Sequence, residues 1–336
     1  MKLRLLTLFY LFILSLTMVI SSNTFSRETS GNGALVKYPI GTRANALGGA
    51  FVALSDDASA FYHNPAGIAM IEWAYLSFNG QRIPTDTYNS TLGFISPPGD
   101  KGKWAFGLAG NFTTNLGIKE VSSSGQLGGS AKNYGGVGYL TLARVFGKKD
   151  DFAIGVNLKG INEMLDNNNS YGGGLDFGMK MGISFLNVGV MLQDLFTMEQ
   201  FSHRDQTIYY DRILKMGVAS RLSEVWSFSI QIDKNMNTTD NVIFRIGGYF
   251  NLWKGKDDLD KSLENYKKFE RNISKALTPK KEFPKAFYLN IGYGNGETGF
   301  GFTLQTWGMK FDIATLFKEL YIDKMKVFAT VDIPLY

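Results

Sequence analysis

The sequence has no cysteine and only two histidines among its 336 residues. The absence of cysteine excludes a disulfide framework, thiolate metal ligands and a cysteine that could carry a lipid. No HExxH, GxSxG or phosphate-loop motif is present either, so the common signatures of a zinc site, a hydrolase or a nucleotide-binding enzyme are missing. We therefore expect a protein that is not an enzyme, with no cofactor and no metal.

Proline, net charge and long apolar runs are also scarce. Eight prolines argue against disordered linkers, and a net charge of +5 is too small to indicate a nucleic-acid partner. Only residues 5–20 form a long apolar run. No later stretch could cross a membrane as a helix.

The first 26 residues are predicted to be a secretory signal peptide. Lys2 and Arg4 precede the apolar run, and small residues follow it, which suits cleavage after Ser26. The alternative is a retained membrane anchor, for which the run is short. Cleavage removes Lys2 and Arg4 and lowers the net charge from +5 to +3.

The rest of the chain is dominated by a two-residue alternation. In 225–233, for example, Trp226, Phe228 and Ile230 share one face while serine, glutamine and aspartate occupy the other. Such alternation indicates strands with two different faces. With 38 glycines and 14% aromatic residues, it favours closed β architecture. The predicted strands are 73–82, 88–96, 103–112, 136–146, 152–161, 171–180, 183–192, 210–222, 225–233, 242–252, 286–294, 298–306, 308–317 and 326–336.

A stretch rich in small residues, 41–69, precedes these strands. Small residues allow close backbone approach, and proline restricts both itself and the residue before it. This stretch predicts a compact plug. Its motif residues are Gly48, Gly49, Asp56, Asp57, Asn64, Pro65, Ala66 and Gly67.

In order and spacing, these motifs resemble the N-terminal signature of the FadL/TodX outer-membrane proteins, and more closely their PorV/PorQ-like branch. The resemblance implies an all-β fold, a fourteen-stranded antiparallel transmembrane β-barrel. Its expected organisation is a signal peptide (1–26), an N-terminal plug in the lumen (27–72) and the barrel (73–336). An even strand count places both ends of the barrel on one side, which for an outer-membrane protein is the periplasm.

The same resemblance implies function. FadL-like proteins bind long-chain fatty acids or aromatic hydrocarbons in an outer groove and release them laterally through the wall after the plug moves. We therefore expect outer-membrane lipid around the barrel and a hydrophobic small molecule as ligand. The alternative, from the PorV/PorQ branch, is a barrel accessory to protein secretion or surface attachment (type IX secretion), acting by protein–protein binding. A structural barrel without transport is a third hypothesis. The expected groove consists of Leu195, Phe196, Met198 and Phe201.

The connections carry further predictions. Short turns are expected on the periplasmic side, and long connections, 113–135 and 193–209, on the outer side. One segment breaks this rule: 257–277 has helical spacing and falls on the predicted periplasmic side. It is either an amphipathic helix closing the barrel floor or a docking surface for a periplasmic partner. A shift of one strand in the count would instead place it outside.

Few residues are candidates for a chemical role. His63 is expected to be a hydrogen-bonded packing residue of the plug, and His203 a solvated loop residue. The adjacent carboxylates of Asp56 and Asp57 are expected to accept hydrogen bonds from backbone N–H groups of the plug, or to form an ion pair with a lumenal arginine or lysine. Arg245 is the candidate for that ion pair.

Overall fold

The computed structural model describes most of the chain beyond residue 37. The predicted signal peptide, His203 and the predicted helix 257–277 lie outside the described residues. The described residues are 38, 40–84, 86–99, 102–121, 127–146, 151–165, 168–183, 185–202, 206–221, 226–238, 242–254, 285–306, 308–318 and 325–335.

Fifteen strands make up most of this part of the chain, and every pairing between them is antiparallel. Their bounds are β1 Ala74–Ile83, β2 Thr87–Ser96, β3 Trp104–Val121, β4 Leu127–Phe146, β5 Phe152–Leu165, β6 Asn168–Ile183, β7 Leu186–Phe201, β8 Gln206–Tyr209, β9 Ile213–Arg221, β10 Trp226–Asn235, β11 Val242–Lys254, β12 Ala286–Gly294, β13 Glu297–Thr306, β14 Met309–Phe317 and β15 Lys326–Leu335.

Fourteen of the strands close into a ring, which confirms the predicted fourteen-stranded antiparallel barrel. The ring closes where β1 pairs with β15, beginning at Ala74 opposite Leu335. On its far side β7 pairs with both β6 and β9, while the short β8 extends the sheet along the last residues of β7. Within the described residues, closure gives each of the fourteen strands a neighbour on both sides. The end where β1 begins and β15 finishes is called the terminal end, and the other the opposite end.

The barrel wall is polar inside and apolar outside. On β10 the polar residues Ser227, Ser229 and Gln231 are at most 2% exposed, whereas Trp226 on the other face is 49% exposed. A protein whose core is apolar would reverse this arrangement. The alternation seen in the sequence therefore reflects an apolar exterior and a polar interior that is covered by other parts of the chain.

The interior is covered by residues 40–71, here called the inner segment. It contains two short helices, α1 (Thr42–Ala46) and α2 (Ala60–His63), and a 3₁₀ helix (Pro65–Met70). All but four of its residues are buried. No helix within the described ranges is both long and apolar enough to cross a bilayer.

Two predicted connections are instead largely strand. Within 113–135, β3 continues to Val121 and β4 begins at Leu127; within 193–209, β7 continues to Phe201. These extensions keep their ladder pairing without an unbroken apolar face, for example between Thr113 and Gly135. Backbone hydrogen bonds between neighbouring strands hold them, so the hydrophobic pattern did not reveal them.

Candidate functional site

Inward-facing glycines of the wall form a cradle for the inner segment. A Cβ atom added at Gly155, Gly189, Gly247 or Gly292 would lie 2.0–2.6 Å from a backbone atom of that segment. No real side chain tolerates such contacts, so glycine is required where the two backbones touch. These glycines belong to strands β5, β7, β11 and β12, which shows that the segment contacts the wall on several sides.

The predicted Gly48–Gly49 pair lies against β11 and β12. Both residues have positive φ, 64° and 78°, a conformation that glycine adopts without strain. A Cβ at Gly48 would also lie 2.5 Å from the backbone of Tyr293. The Gly48 carbonyl accepts a hydrogen bond from Arg245 Nη1 at 3.1 Å. The pair thus combines a tight turn with a close approach to the wall.

A single side chain of β10 holds the chain just after this turn. Gln231 Oε1 accepts hydrogen bonds from the backbone N–H groups of Phe51 (2.9 Å) and Val52 (2.8 Å). Its Nε2 donates to Asp233 at 2.6 Å, which fixes the orientation of the amide. Gln231 therefore accepts hydrogen bonds from two buried backbone donors of the segment. One of them, the Phe51 N–H, also lies 2.9 Å from the Gly49 carbonyl.

The Asn64–Pro65–Ala66–Gly67 turn is held by its own asparagine. Asn64 Nδ2 donates to the carbonyls of Val52 and of Met179 on β6, both at 2.9 Å, and Oδ1 accepts from Ala66 N–H at 3.2 Å. Asn64 is extended, as expected before proline. This turn ties two parts of the segment to each other and to the wall.

Asp57 is at the centre of a buried charge cluster. Its Oδ1 accepts hydrogen bonds from the N–H and Oγ of Ser59, and its Oδ2 lies 3.3 Å from Arg43 Nε and 3.4 Å from Lys310 Nζ. Burial raises the pKa of Asp57, but Lys310, Arg43 and the Ser59 hydrogen bonds outweigh it and hold that pKa well below its usual range. Asp56 pairs with Arg43. Arg245, the expected partner of these carboxylates, pairs with Asp233 instead.

Lys310 links this cluster to the wall. Its ammonium also lies 3.1 Å from Asp312 and 3.2 Å from Asp332, and its side chain is only 3% exposed. Ser77 and Thr303 donate hydrogen bonds to Asp332 and Asp312. One buried cation on β14 therefore contacts three carboxylates, one of which belongs to the inner segment.

The other side of the segment is held through main-chain carbonyls. Lys180 on β6 donates to the carbonyls of Leu54 and Ser55, and Asn157 on β5 donates to that of Phe61 at 2.6 Å. Next to them Lys159 bridges Asp176 and Asp194. These contacts on β5, β6 and β7 face the charge cluster of β14 and β15 across the segment.

His63 is a packing residue inside the segment. Its Nε2 lies 2.7 Å from the Ile40 carbonyl, and its ring lies edge-on to Phe51 and Tyr62. Burial, with a smaller contribution from Lys215, lowers the pKa of His63 to about 4. The neutral ring therefore donates its Nε2 proton to Ile40.

The four residues expected to form an outer groove do not lie together. Phe196 and Met198 are on the exterior of β7 and are 69% and 55% exposed. Phe201 packs inward against the apolar cluster that contains Phe61, and Leu195 is half-buried. The strand alternation separates them because they lie on an extended part of β7 rather than on a loop.

Sequence reasoning missed most of the wall residues that hold the segment. Gln231, Lys310, Asn157 and Lys180 make the main polar contacts of the wall with the segment, yet each is one polar residue among many at inward positions. A usable signal was the charge itself: Lys159, Lys180 and Lys310 lie at inward positions of their strands, and a buried charge needs a partner.

Comparison with known proteins gives one sequence-level relationship. A profile of an uncharacterised protein family (UPF0164) matches residues 18–174. The UPF0164 protein of Treponema pallidum (strain Nichols) is 31% identical over 144 residues, which are 41% of this chain and 42% of that protein. The match thus spans less than half of this curated relative's length.

Solved structures show the same fold at low sequence identity. A Pseudomonas aeruginosa FadL homologue matches with a TM-score of 0.54 and 9% identity, over 89% of this chain and 99% of that chain. The CymD monoaromatic hydrocarbon channel gives 0.56 and 11%, over 89% and 97%. The Pseudomonas putida toluene transporter TodX gives 0.54 and 10%, over 87% and 96%. The chain is thus similar in fold to FadL/TodX channels.

Proposed function

We propose that this protein is an outer-membrane channel for hydrophobic small molecules such as long-chain fatty acids, with its termini in the periplasm. The observation that carries the proposal is a closed barrel with an apolar exterior whose lumen contains a buried inner segment. An apolar exterior suits a bilayer, and a segment that fills the lumen suits a plug. CymD and TodX, which share the fold, are described as channels for monoaromatic hydrocarbons and toluene.

The lumen wall supports a hydrophobic substrate. Toward the opposite end, β4, β5, β8 and the chain after β8 contribute an apolar surface that continues from Phe61 of the inner segment. The wall of β1 to β3 is polar at the same end, with Gln81, Asn89 and Thr113 buried there. A molecule with an apolar body would follow the apolar side of the lumen. That side consists of Val137, Tyr139, Ile161, Ile208 and Tyr210.

Passage of a substrate through the lumen requires the inner segment to move. A reversible disulfide between the segment and the wall tests this requirement. Thr42 Oγ1 of the segment lies 2.6 Å from Thr330 Oγ1 on β15, so cysteines at the two positions would be close enough to form a disulfide. The chain has no other cysteine. Uptake of radiolabelled oleate and toluene would be measured in cells that lack their own channels and carry Thr42→Cys/Thr330→Cys.

We expect uptake to fall to the background of empty cells after oxidation and to return after reduction. The Thr42→Cys single variant controls for the substitution and should respond to neither treatment. Unchanged uptake in the locked protein would refute a plug that moves at this contact. Failure of the wild-type protein to take up either compound would refute the channel.

The secretion-accessory alternative and its protein partners stay predictions from the family resemblance. Their candidate docking segment, 257–277, lies outside the described residues. The described part of the chain offers no observation that favours them over transport.

A further inference from the structure

The exterior of the barrel carries an exposed arginine, Arg144, near the end of β4. Its neighbours Ala143 and Val145 are buried on the inner face, so Arg144 points outward, two residues before the strand ends at Phe146. It forms no ion pair and no hydrogen bond with any other residue that the structure describes. The charge of this guanidinium is therefore not balanced by the described part of the chain.

The surface around Arg144 is apolar. In the strand ladder Arg144 lies opposite Trp104 on β3 and Ile154 on β5, and Leu142 precedes it on the same face. No second charged residue occupies an outward position in the neighbouring parts of β3 to β6, which are 104–112, 134–146, 152–164 and 169–183. A cation that is isolated in an apolar surface facing a membrane is stabilised by an anion from outside the chain.

Two aromatic rings orient the guanidinium. Arg144 Cζ lies 5.2 Å from the centre of the Trp104 ring and 5.1 Å from the centre of the Phe146 ring, within the range of cation–π contacts. Neither ring offers an oxygen or nitrogen acceptor, so the N–H donors of Arg144 stay available for an anion. Because the rings already restrict the side chain, binding an anion costs less ordering than it would for a free arginine.

The position of Arg144 along the barrel corresponds to a membrane–water interface. Trp104 begins β3, Trp226 begins β10 and Trp253 is the residue before the last one of β11, so all three lie at the terminal end. They are 55%, 49% and 53% exposed. Exposed tryptophans at one end of a barrel are typical of the aromatic girdle at the level of the lipid headgroups. Arg144 pairs with Trp104 and therefore lies at this level.

We propose that Arg144, held by Trp104 and Phe146, binds the phosphate of a phospholipid in the leaflet at the terminal end. The two non-bridging oxygens of a phosphodiester match the planar fork of guanidinium N–H donors. From Arg144 toward the middle of the barrel, the next outward residues of β4 are Leu142 and Leu140, 48% and 44% exposed, and the acyl chains lie along them. This inference rests on the proposed membrane location but not on transport.

Native mass spectrometry of the full-length barrel in detergent tests the site. The probe is dioleoylphosphatidylglycerol, and dioleoylglycerol has the same acyl chains without the phosphate. We expect Arg144→Gln to weaken binding of the first phosphatidylglycerol about tenfold, because charge-assisted hydrogen bonds are lost, and to leave dioleoylglycerol binding unchanged. Arg144→Lys, which keeps the charge without the planar fork, should weaken it several-fold.

Arg82→Gln is the matched control. Arg82 is also an exposed arginine of the exterior, but it lies at the opposite end and contacts no aromatic ring among the described residues. Its replacement should leave binding of the first phosphatidylglycerol unchanged. Heat-modifiable gel mobility identifies correctly folded barrel in each variant.

Three results would overturn the inference. They are undiminished phosphatidylglycerol binding in Arg144→Gln, an equal loss in Arg82→Gln, and displacement of the lipid by soluble glycerophosphocholine at equal concentration, which would assign Arg144 to free phosphate esters. A wild-type chain absent from the membrane fraction would refute the proposed location as well. A membrane-inserted barrel that binds both dioleoyl lipids equally would refute the phosphate site alone.

Discussion

Replacing Lys310 with methionine should release the inner segment while leaving the barrel closed. The substitution keeps much of the side-chain volume but leaves Asp57, Asp312 and Asp332 without the ammonium that lies 3.1–3.4 Å from each. Removing one partner from a buried ion pair costs about 3–5 kcal/mol. The strand ladder is untouched, so we expect the cost to fall on the docking of the segment.

Trypsin cleavage at Arg43 measures this cost, because Arg43 is largely buried and must become exposed to be cut. When opening is fast relative to cleavage, the rate follows the open population, and about 3–5 kcal/mol corresponds to a hundredfold to several thousandfold faster cleavage. Lys326→Met is the control: Lys326 and Glu297 form a partly exposed pair at 2.8 Å, worth at most about 1 kcal/mol, so cleavage should rise about fivefold at most. Cleavage of Lys310→Met at the control rate would refute the proposed coupling.

Two further predictions concern the cradle and the histidine. Gly292→Ala places a Cβ 2.0 Å from the Leu47 backbone and should destabilise the docked segment by about 1–3 kcal/mol. Gly80→Ala, on the open exterior, should not destabilise it. The same trypsin assay compares the two variants, and equal cleavage rates would contradict the cradle. The folded His63, with a pKa of about 4, binds no proton between pH 6.5 and 4 while the unfolded chain does, so stability should fall by about 3 kcal/mol across that window. His63→Gln should remove this slope in urea unfolding curves recorded at pH 7 and pH 4.5, and an unchanged slope would assign it to another group.

The barrel was predictable because its exterior imposes a strong pattern. The strands present apolar residues on the outer side and small or polar residues on the inner side, and this alternation is visible in the sequence. β12 was accordingly predicted to the residue. The ends of β3, β4 and β7 were missed because no regular alternation of apolar and polar residues marks them in the sequence, and pairing with the neighbouring strand defines them instead.

The inner segment was predictable in its turns but not in its partners. Gly48–Gly49 and Asn64–Pro65 follow from local backbone chemistry, which a short stretch of sequence contains. Which inward residue meets the segment depends on how the segment is rotated inside the ring, and no local pattern encodes that rotation. Gln231 and Lys310 are examples. Gln231 lies about 180 residues after its partner Phe51, and Lys310 about 250 residues after its partner Asp57.

The closure of β1 against β15 has a consequence for how the protein folds. These strands are separated by nearly the whole barrel, and bringing such distant segments together is entropically costly and slow. The inner segment immediately precedes β1, and its Thr42 and Asp57 contact Thr330 of β15 and Lys310 of β14. A nascent sheet wrapping around this segment would have its last strands drawn back toward the first. The segment would then act, while the barrel folds, as an internal template that determines the circumference of the ring.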